Sequence, residues 1–284
     1  MQELCDLHTH SNYSDGTLTP EELVLKAKEC GLQAIALTDH NTITGLPNFL
    51  KAAKEHNFEA IPGIEFSTHF ENKEYHIVAL FIKEEYYDQI TQMVKKFDDL
   101  KEESNLDLVK KLAEIGMVID YERLKSSTPN GRLNRANIAN ELVKKGYVES
   151  MDAAFKTVLS KDYGLYVEPS RLDTLSTIKF IKDIGAVSIL AHPLLQHDES
   201  DLNKLLPLAI ENGLNGIETI YSTFTDAETE FAKSLAKKYH LLQSGGSDFH
   251  GENKPDTMLG VGKGNLKIPY KFLQDLKQKA FKLN

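Results

Sequence analysis

Leu4-Cys5-Asp6-Leu7-His8-Thr9-His10 opens the chain as a short apolar strand, Leu4–His8, that runs into two histidines spaced two residues apart. After a loop over Ser11–Leu18, Thr19-Pro20-Glu21-Glu22 carries the marks of a helix start. These are an N-cap hydroxyl, a first-turn proline and acids that suit the positive end of a helix dipole. Leu23, Ala27 and Cys30 give that helix an apolar stripe, and Gly31 stops it. A strand that ends in polar residues and hands over to an amphipathic helix is the unit from which the rest is read.

The unit recurs. Ala34–Thr38 reads as a strand and Gly45–His56 as a helix; Ala60–Thr68 and Tyr75–Ile82 flank the polar turn Glu71-Asn72-Lys73 and read as a hairpin. Further on, helix Thr174–Ile184 leads to strand Ala186–Ala191, helix Leu202–Glu211 to strand Gly216–Tyr221, and helix Asp226–Lys238 to strand Leu241–Gly245, with a last helix at Lys271–Phe281. Repeated strand–helix units predict mainly parallel strands with helices outside, six or seven of them closing like a barrel.

Between these halves the pattern changes. From Tyr87 to about Ser160 no strand is predicted; Ile90, Met93, Val94, Phe97, Leu108, Leu112 and Ile115 recur at helical spacing, with more helices at Arg135–Lys145 and Met151–Leu159. The expected organisation is a barrel from 1–86 and 161–284, with an all-helical insertion over 87–160 that caps the substrate. Within Lys125–Lys145, five basic residues (Lys125, Arg132, Arg135, Lys144, Lys145) face one acid, Glu141, in a chain of net charge −9.

The composition narrows the function. With 284 residues, 41% hydrophobic and 26% charged, the chain is ordinary globular material. A chain of this length buries roughly three-quarters of its unfolded surface. No apolar run approaches the ~20 residues of a membrane span. Met1-Gln2-Glu3 lacks the start of a signal peptide, and two cysteines suit a reducing compartment, so a cytoplasmic protein is expected. The acidity disfavours coating of extended duplex nucleic acid. It suits carboxylates gathered around divalent cations.

The chemistry sits where the predicted strands end. His8 and His10 share one face of a strand; Asp15 follows; Thr38-Asp39-His40, Gly63-Ile64-Glu65, His76, Ala191-His192-Pro193 and Gly246-Ser247-Asp248-Phe249-His250 close or open the others. In a barrel of βα units these ends converge on one face. Six of the ten histidines and three carboxylates make nine candidate ligands. One ion takes about four to six, so nine suffice for two or three ions that share bridging carboxylates. His56 and His240 end helices, His197 lies in a polar loop and His69 precedes the hairpin turn, and none is given a role. Tyr166 and Tyr221 read as core residues rather than base-stacking platforms.

In order, Asp6-Leu7-His8-Thr9-His10-Ser11 through Ser14-Asp15-Gly16, Thr38-Asp39-His40, Gly63-Ile64-Glu65, Tyr75-His76-Ile77, Ala191-His192-Pro193 and Gly246 to Gly251 resemble the PHP (polymerase and histidinol phosphatase) superfamily. The resemblance implies an α/β fold, a distorted (β/α)7 barrel, with a trinuclear metal site. Carried over, His8, His10, Glu65 and Asp248 hold one ion. Glu65 bridges to a second, held also by His76 and His192, and Asp15, His40 and His250 hold the third. Manganese is the expected metal, with iron or zinc as alternatives. Gly131-Arg132-Leu133-Asn134-Arg135-Ala136-Asn137-Ile138-Ala139 is similar to a segment of the small stand-alone phosphoesterases, which act on nucleoside 3′,5′-bisphosphates or degrade short RNA from its 5′ end. By that match Arg135 contacts a substrate phosphate and Asn137 stands where the subgroup carries histidine. The other reading of Arg135 is a solvated residue at a helix start.

A hydroxide bridging two such ions is available near neutral pH and attacks phosphorus in line, so no separate protein base is assigned. The expected substrate is a small phosphorylated nucleotide or short RNA. The rivals are a histidinol-phosphate phosphatase, a non-catalytic module that binds a protein partner, and RNA binding without chemistry. The helical insertion speaks against the first, the full ligand set against the second and the net charge against the third.

Overall fold

The computed structural model describes residues 3–127, 133, 135–264 and 266–283. Two units are distinguished: Met1–Thr91 with Leu172–Asn284, and Gln92–Arg171. Arg132 and Asn134 of the basic segment lie outside the described residues.

The first unit is built on strands β1 (Cys5–Asp6), β2 (Ala34–Leu37), β3 (Glu59–Phe70), β4 (Lys73–Leu80), β5 (Leu172–Asp173), β6 (Val187–Leu190), β7 (Gly216–Tyr221) and β8 (Leu242–Gly246). Seven of them pair in the order β1-β2-β3-β4-β6-β7-β8, and β5 adds a short edge beside β3. All neighbours on that path are parallel except β4, which is antiparallel to both β3 and β6. The hairpin inserts one reversed strand, and this is the distortion of the expected (β/α)7 barrel. The sheet closes on itself where Leu7 N–H donates to Gly245 O at 3.2 Å and Asp248 N–H to His8 O at 2.9 Å. The first strand is shorter than Leu4–His8 because regular pairing with β2 ends at Asp6; beyond it Leu7 N–H turns to Gly245 O of β8, His8 O accepts from Asp248 N–H, and Thr9 O accepts from Thr38 N–H.

Helices α1 (Pro20–Glu29), α2 (Leu46–Glu55), α7 (Thr174–Asp183), α8 (Glu199–Asn212), α9 (Asp226–Lys238) and α10 (Tyr270–Leu283) also belong to this unit. Thr19 caps α1 in a full capping box with Glu22. Its buried face is Leu23, Val24 and Ala27, whereas Cys30, expected on the stripe, is the exposed C-cap. The helix has ended there, so the residue that completes the face is Val24. A second capping box, Asp198 with Asp201, starts α8 three residues before the expected Leu202. Ala36, Ile61, Val78, Leu80, Val187 and Ile189 form the buried core of the sheet, with Leu273 and Leu276 of α10.

Helix α3 (Tyr87–Glu114) runs from the first unit into the second, where α4 (Tyr121–Ser126), α5 (Arg135–Lys144) and α6 (Met151–Lys156) complete the described elements. They surround a core of Leu108, Leu112, Ile138, Leu142 and Leu159. Ile115, expected on the same stripe, lies past the end of α3 and is 45% exposed. Within this unit Lys125 of the basic segment pairs with Glu102, while the segment's one acid, Glu141, pairs with Arg123 outside it.

Candidate metal centre

The ligand-type side chains stand where regular pairing gives out, and they are placed by bridges that continue the strand register. Beyond β2, His40 bridges to Glu65, with Asn41 N–H donating to Glu65 O at 2.9 Å. Beyond β1 and β8, Thr9 bridges to Phe249, which sets His8 and His10 beside Asp248 and His250. Gly246 permits that approach, because a Cβ there would fall 2.1 Å from the Cβ of His8. In the hairpin, Glu65 pairs with Val78 and Ser67 with His76, so Glu65 and His76 are diagonal neighbours on one face.

Glu65 is the hub. Its carboxylate is fully buried, and its two oxygens divide the cluster. Oε1 stands 2.8 Å from His76 Nδ1 and 2.9 Å from His192 Nε2. Oε2 stands 3.1 Å from His8 Nε2, 3.3 Å from His10 Nε2 and 3.0 Å from His40 Nδ1. Asp248 Oδ1 lies 3.2 Å from His10 Nε2, and Asp15 Oδ1 lies 3.2 Å from His250 Nε2. All nine candidate ligands therefore meet in one unit. Their atoms form overlapping groups: His8, His10, Glu65 and Asp248; His10, Asp15, His40 and His250; and His40, Glu65 and His76, each within 4.8 Å. Arg135 and Asn137 belong to the second unit. There the Arg135 guanidinium stacks 4.0 Å over Tyr166 and donates to Leu159 O at 3.3 Å.

The residues fit divalent ions. His8 Nε2, His10 Nε2 and Glu65 Oε2 are buried and close together, yet none has a hydrogen-bond partner. Buried polar atoms left in that state need an explanation. Atoms aimed at a shared point between them supply one. The donors are imidazole and carboxylate with no thiolate, a set that suits manganese, iron or zinc. Cys5, the buried thiol, faces Ile268 O instead.

Electrostatics point the same way. Burial pushes Glu65 up, but the charges of His8, His40 and His76 outweigh it and hold the carboxyl well below its usual range. Asp248 behaves alike through His10 and His8. Burial lowers His10 and His76, yet the neighbouring carboxylates, Asp248 and Glu65 for His10 and Glu65 and Glu74 for His76, lift them to about 9 and about 10. The carboxylates are held in place by positive charge, which is the demand a cation meets.

Strain marks two ligand positions: His192 has φ +28° and Asp248 φ +55°. Both are unfavourable for residues with a Cβ and persist where surrounding bonds over-determine them. At His192 the holding bond is its N–H, donated to Glu218 Oε2 at 2.6 Å.

Sequence reasoning missed a supporting set. Glu218 is buried and accepts both that bond and one from His8 Nδ1. Asp6 accepts from Ser247 N–H at 2.9 Å and Gly260 N–H at 2.8 Å. Asp39 accepts from Ser11 N–H and Oγ and from Ser14 Oγ, bracing the loop that carries Asp15. Tyr221, read as a core residue, is buried but gives its hydroxyl to Asp248 Oδ2 at 2.7 Å. The available signal was an acid inside a mostly apolar strand, as Glu218 is in β7. A cavity of about 180 Å³ opens on the cluster, lined by His40, His76, His192, His197, Asp248 and Lys254 among others.

The chain matches the model of the PHP domain over residues 6–170, a stretch that holds six of the nine candidate ligands. It is 33% identical over 251 residues to the 5′-3′ exoribonuclease of Haemophilus influenzae, covering 88% of this chain and 91% of that one. It is 28% identical over 256 residues to the 3′,5′-nucleoside bisphosphate phosphatase of Chromobacterium violaceum, covering 89% and 90%. A solved structure from Bifidobacterium adolescentis, described as a metal-dependent phosphoesterase, matches with a TM-score of 0.74 at 25% identity over 98% of this chain and 96% of that one. Motif order, barrel closure and these likenesses agree: this chain belongs to the PHP domain family.

Proposed function

We propose that this chain is a metal-dependent phosphoesterase that hydrolyses phosphate esters of nucleotides. Its substrates are the 3′-phosphate of nucleoside 3′,5′-bisphosphates, short RNA degraded from the 5′ end, or both. The observation that carries the reading is the convergence of five histidine nitrogens on the two oxygens of Glu65. The exoribonuclease and the bisphosphate phosphatase that resemble the chain over most of its length support the substrate class.

In this reading His8, His10, Glu65 and Asp248 hold one ion, Glu65, His76 and His192 a second, and Asp15, His40 and His250 a third, with manganese the preferred metal. When bound, divalent ions activate water near neutral pH and neutralise the oxygens of the phosphoryl group. The chain's own part is to fix the donors. Glu218 holds His8 with Nε2 turned inward, and the Asp248 carbonyl, 2.8 Å from His250 Nδ1, turns that ring's Nε2 to Asp15. Arg135, stacked on Tyr166, offers its remaining N–H groups to a substrate phosphate. Among the described residues no helix is long and apolar enough to cross a membrane. Unpaired Cys5 and Cys30 suit the reducing cytoplasm.

The test is phosphate release by manganese-loaded protein from adenosine 3′,5′-bisphosphate, histidinol phosphate and a short 5′-phosphorylated RNA. Turnover of the bisphosphate or the RNA is expected. Turnover of histidinol phosphate alone would overturn the nucleotide assignment, and silence on all three would favour a partner-binding module.

A further inference from the structure

The cavity beside the ligand cluster has one cation of its own. Among the described residues that line it, Lys254 is the one lysine or arginine. Its Nζ donates to Asp248 Oδ2 at 2.6 Å, while Oδ1 of the same carboxylate faces His8, His10 and His250. The ammonium therefore stands one carboxylate away from the cluster, and its side chain is 43% exposed.

The backbone that presents it is fixed. Lys254 follows a 3₁₀ turn over Gly251–Asn253 and closes it by donating its N–H to Gly251 O at 3.1 Å. Gly251 has φ +64°, and a Cβ there would fall 2.0 Å from Thr17 Oγ1. Glu252 N–H donates to that hydroxyl at 3.1 Å, and Asn253 Nδ2 to Asp15 O at 2.7 Å. The turn is thus stapled to the loop that carries Asp15, so Lys254 is aimed by the same frame that places two candidate ligands.

Compensation of Asp248 does not by itself explain the lysine. Oδ2 already takes the Tyr221 hydroxyl, and Oδ1 faces three imidazoles. An ammonium has three N–H groups, and one bond to Oδ2 leaves two. In a chain of net charge −9, an incoming phosphate ester also needs cations fixed in its path.

We propose that Lys254 is a catalytic residue that binds the phosphoryl group of the substrate through its ammonium, anchored by Asp248 Oδ2. The proposal rests on the phosphoesterase reading but not on the nucleotide assignment. Three measurements on the manganese-loaded full chain test it, with Lys254→Met and Lys254→Arg beside the wild type. Manganese per chain, by elemental analysis, should be equal in all three. Inorganic phosphate, titrated by calorimetry, should bind Lys254→Met about tenfold to a hundredfold more weakly, with part of the loss recovered in Lys254→Arg. The kcat/KM for p-nitrophenyl phosphate should fall about a hundredfold in Lys254→Met.

Unchanged phosphate affinity in Lys254→Met would overturn the proposal. Loss of manganese from that variant would also overturn it and make Lys254 a positioning residue for Asp248. A wild type that hydrolyses p-nitrophenyl phosphate and no nucleotide would sink the nucleotide assignment, while the phosphate titration would still decide Lys254.

Discussion

Glu218 Oε1 accepts a hydrogen bond from His8 Nδ1 at 2.8 Å, across 210 residues of sequence and with both side chains buried. That bond orients the ring of His8 so that Nε2, the nitrogen left for an ion, points toward Glu65. The other oxygen of Glu218 takes the His192 N–H, so one carboxylate orients two candidate ligands.

Glu218→Gln therefore separates orientation from ligation. An amide keeps the shape but has one acceptor oxygen, so its NH₂ meets either the His8 N–H or the His192 N–H. Outer partners of ligating histidines are worth about 10–100-fold in metal affinity or activity. Manganese titration of the variant should show a loss of that size with the fold intact. Wild-type affinity would remove Glu218 from the frame of the site.

Direct removal of a ligand should be more severe. His192→Ala takes away one of the two nitrogens on Glu65 Oε1, and Asp248→Ala takes away the carboxylate that faces His8, His10 and His250. Either variant should lose about 10³-fold or more in kcat, as loss of the groups that meet transition-state charge does. Near-normal turnover in either, measured with manganese in excess, would contradict the ligand assignment.

The division between what was legible and what was not follows a physical line. Local chemistry was legible: the Thr19 cap, the Pro20 start, the hairpin turn and the polar ends of buried strands each depend on neighbours within a few residues. The nine candidate ligands could be gathered from the sequence because β-strand ends in such a fold share one face. Lys254 could not, because the turn over Gly251–Asn253 is what brings it back to Asp248. Nor could Glu218 and Tyr221, because their meaning lies in which side chain they meet across the sheet. That depends on registers such as Glu218 against Ser244, with the shift beside it between Glu218 and Ile220. The reversed strand β4 was half legible: the turn announced the hairpin, but its antiparallel pairing with β6 depends on a strand more than a hundred residues away.

Arg135 packs within its own unit and is proposed to bind a substrate phosphate, and one variant can separate the two. Its guanidinium lies 4.0 Å over Tyr166 and 5.7 Å from the Phe155 ring, and it bonds Leu159 O. Losing a cation–π contact of about 1–2 kcal/mol should lower Tm by a few degrees, roughly 2–4 °C per kcal/mol at this chain length. Substrate binding should suffer more, with KM for the bisphosphate up about tenfold in Arg135→Ala, as expected when a charged hydrogen bond is lost. A drop in Tm with KM unchanged would leave Arg135 a packing residue only.

Removing the metals should reverse the pH response of stability. In the metal-free protein His10 and His76 titrate near 9 and 10, above the ordinary 6.5, so folding holds their protons more tightly than the unfolded chain does. Their contribution is complete below 6.5 and disappears as pH rises through 9 and 10. Glu65 and Asp248 are held below their ordinary values, so their contribution is present at neutral pH and lost only as acid protonates them in the fold. Metal-free Tm should therefore fall as pH is raised from about 6.5 to 10. With manganese present, ligation needs deprotonated imidazole, and binding strengthens over the first part of that interval, which raises Tm instead. Thermal melts across this range, with chelator and with manganese, should give slopes of opposite sign between pH 6.5 and 9. Parallel slopes would mean that the histidine protons and the ions do not compete for the same nitrogens.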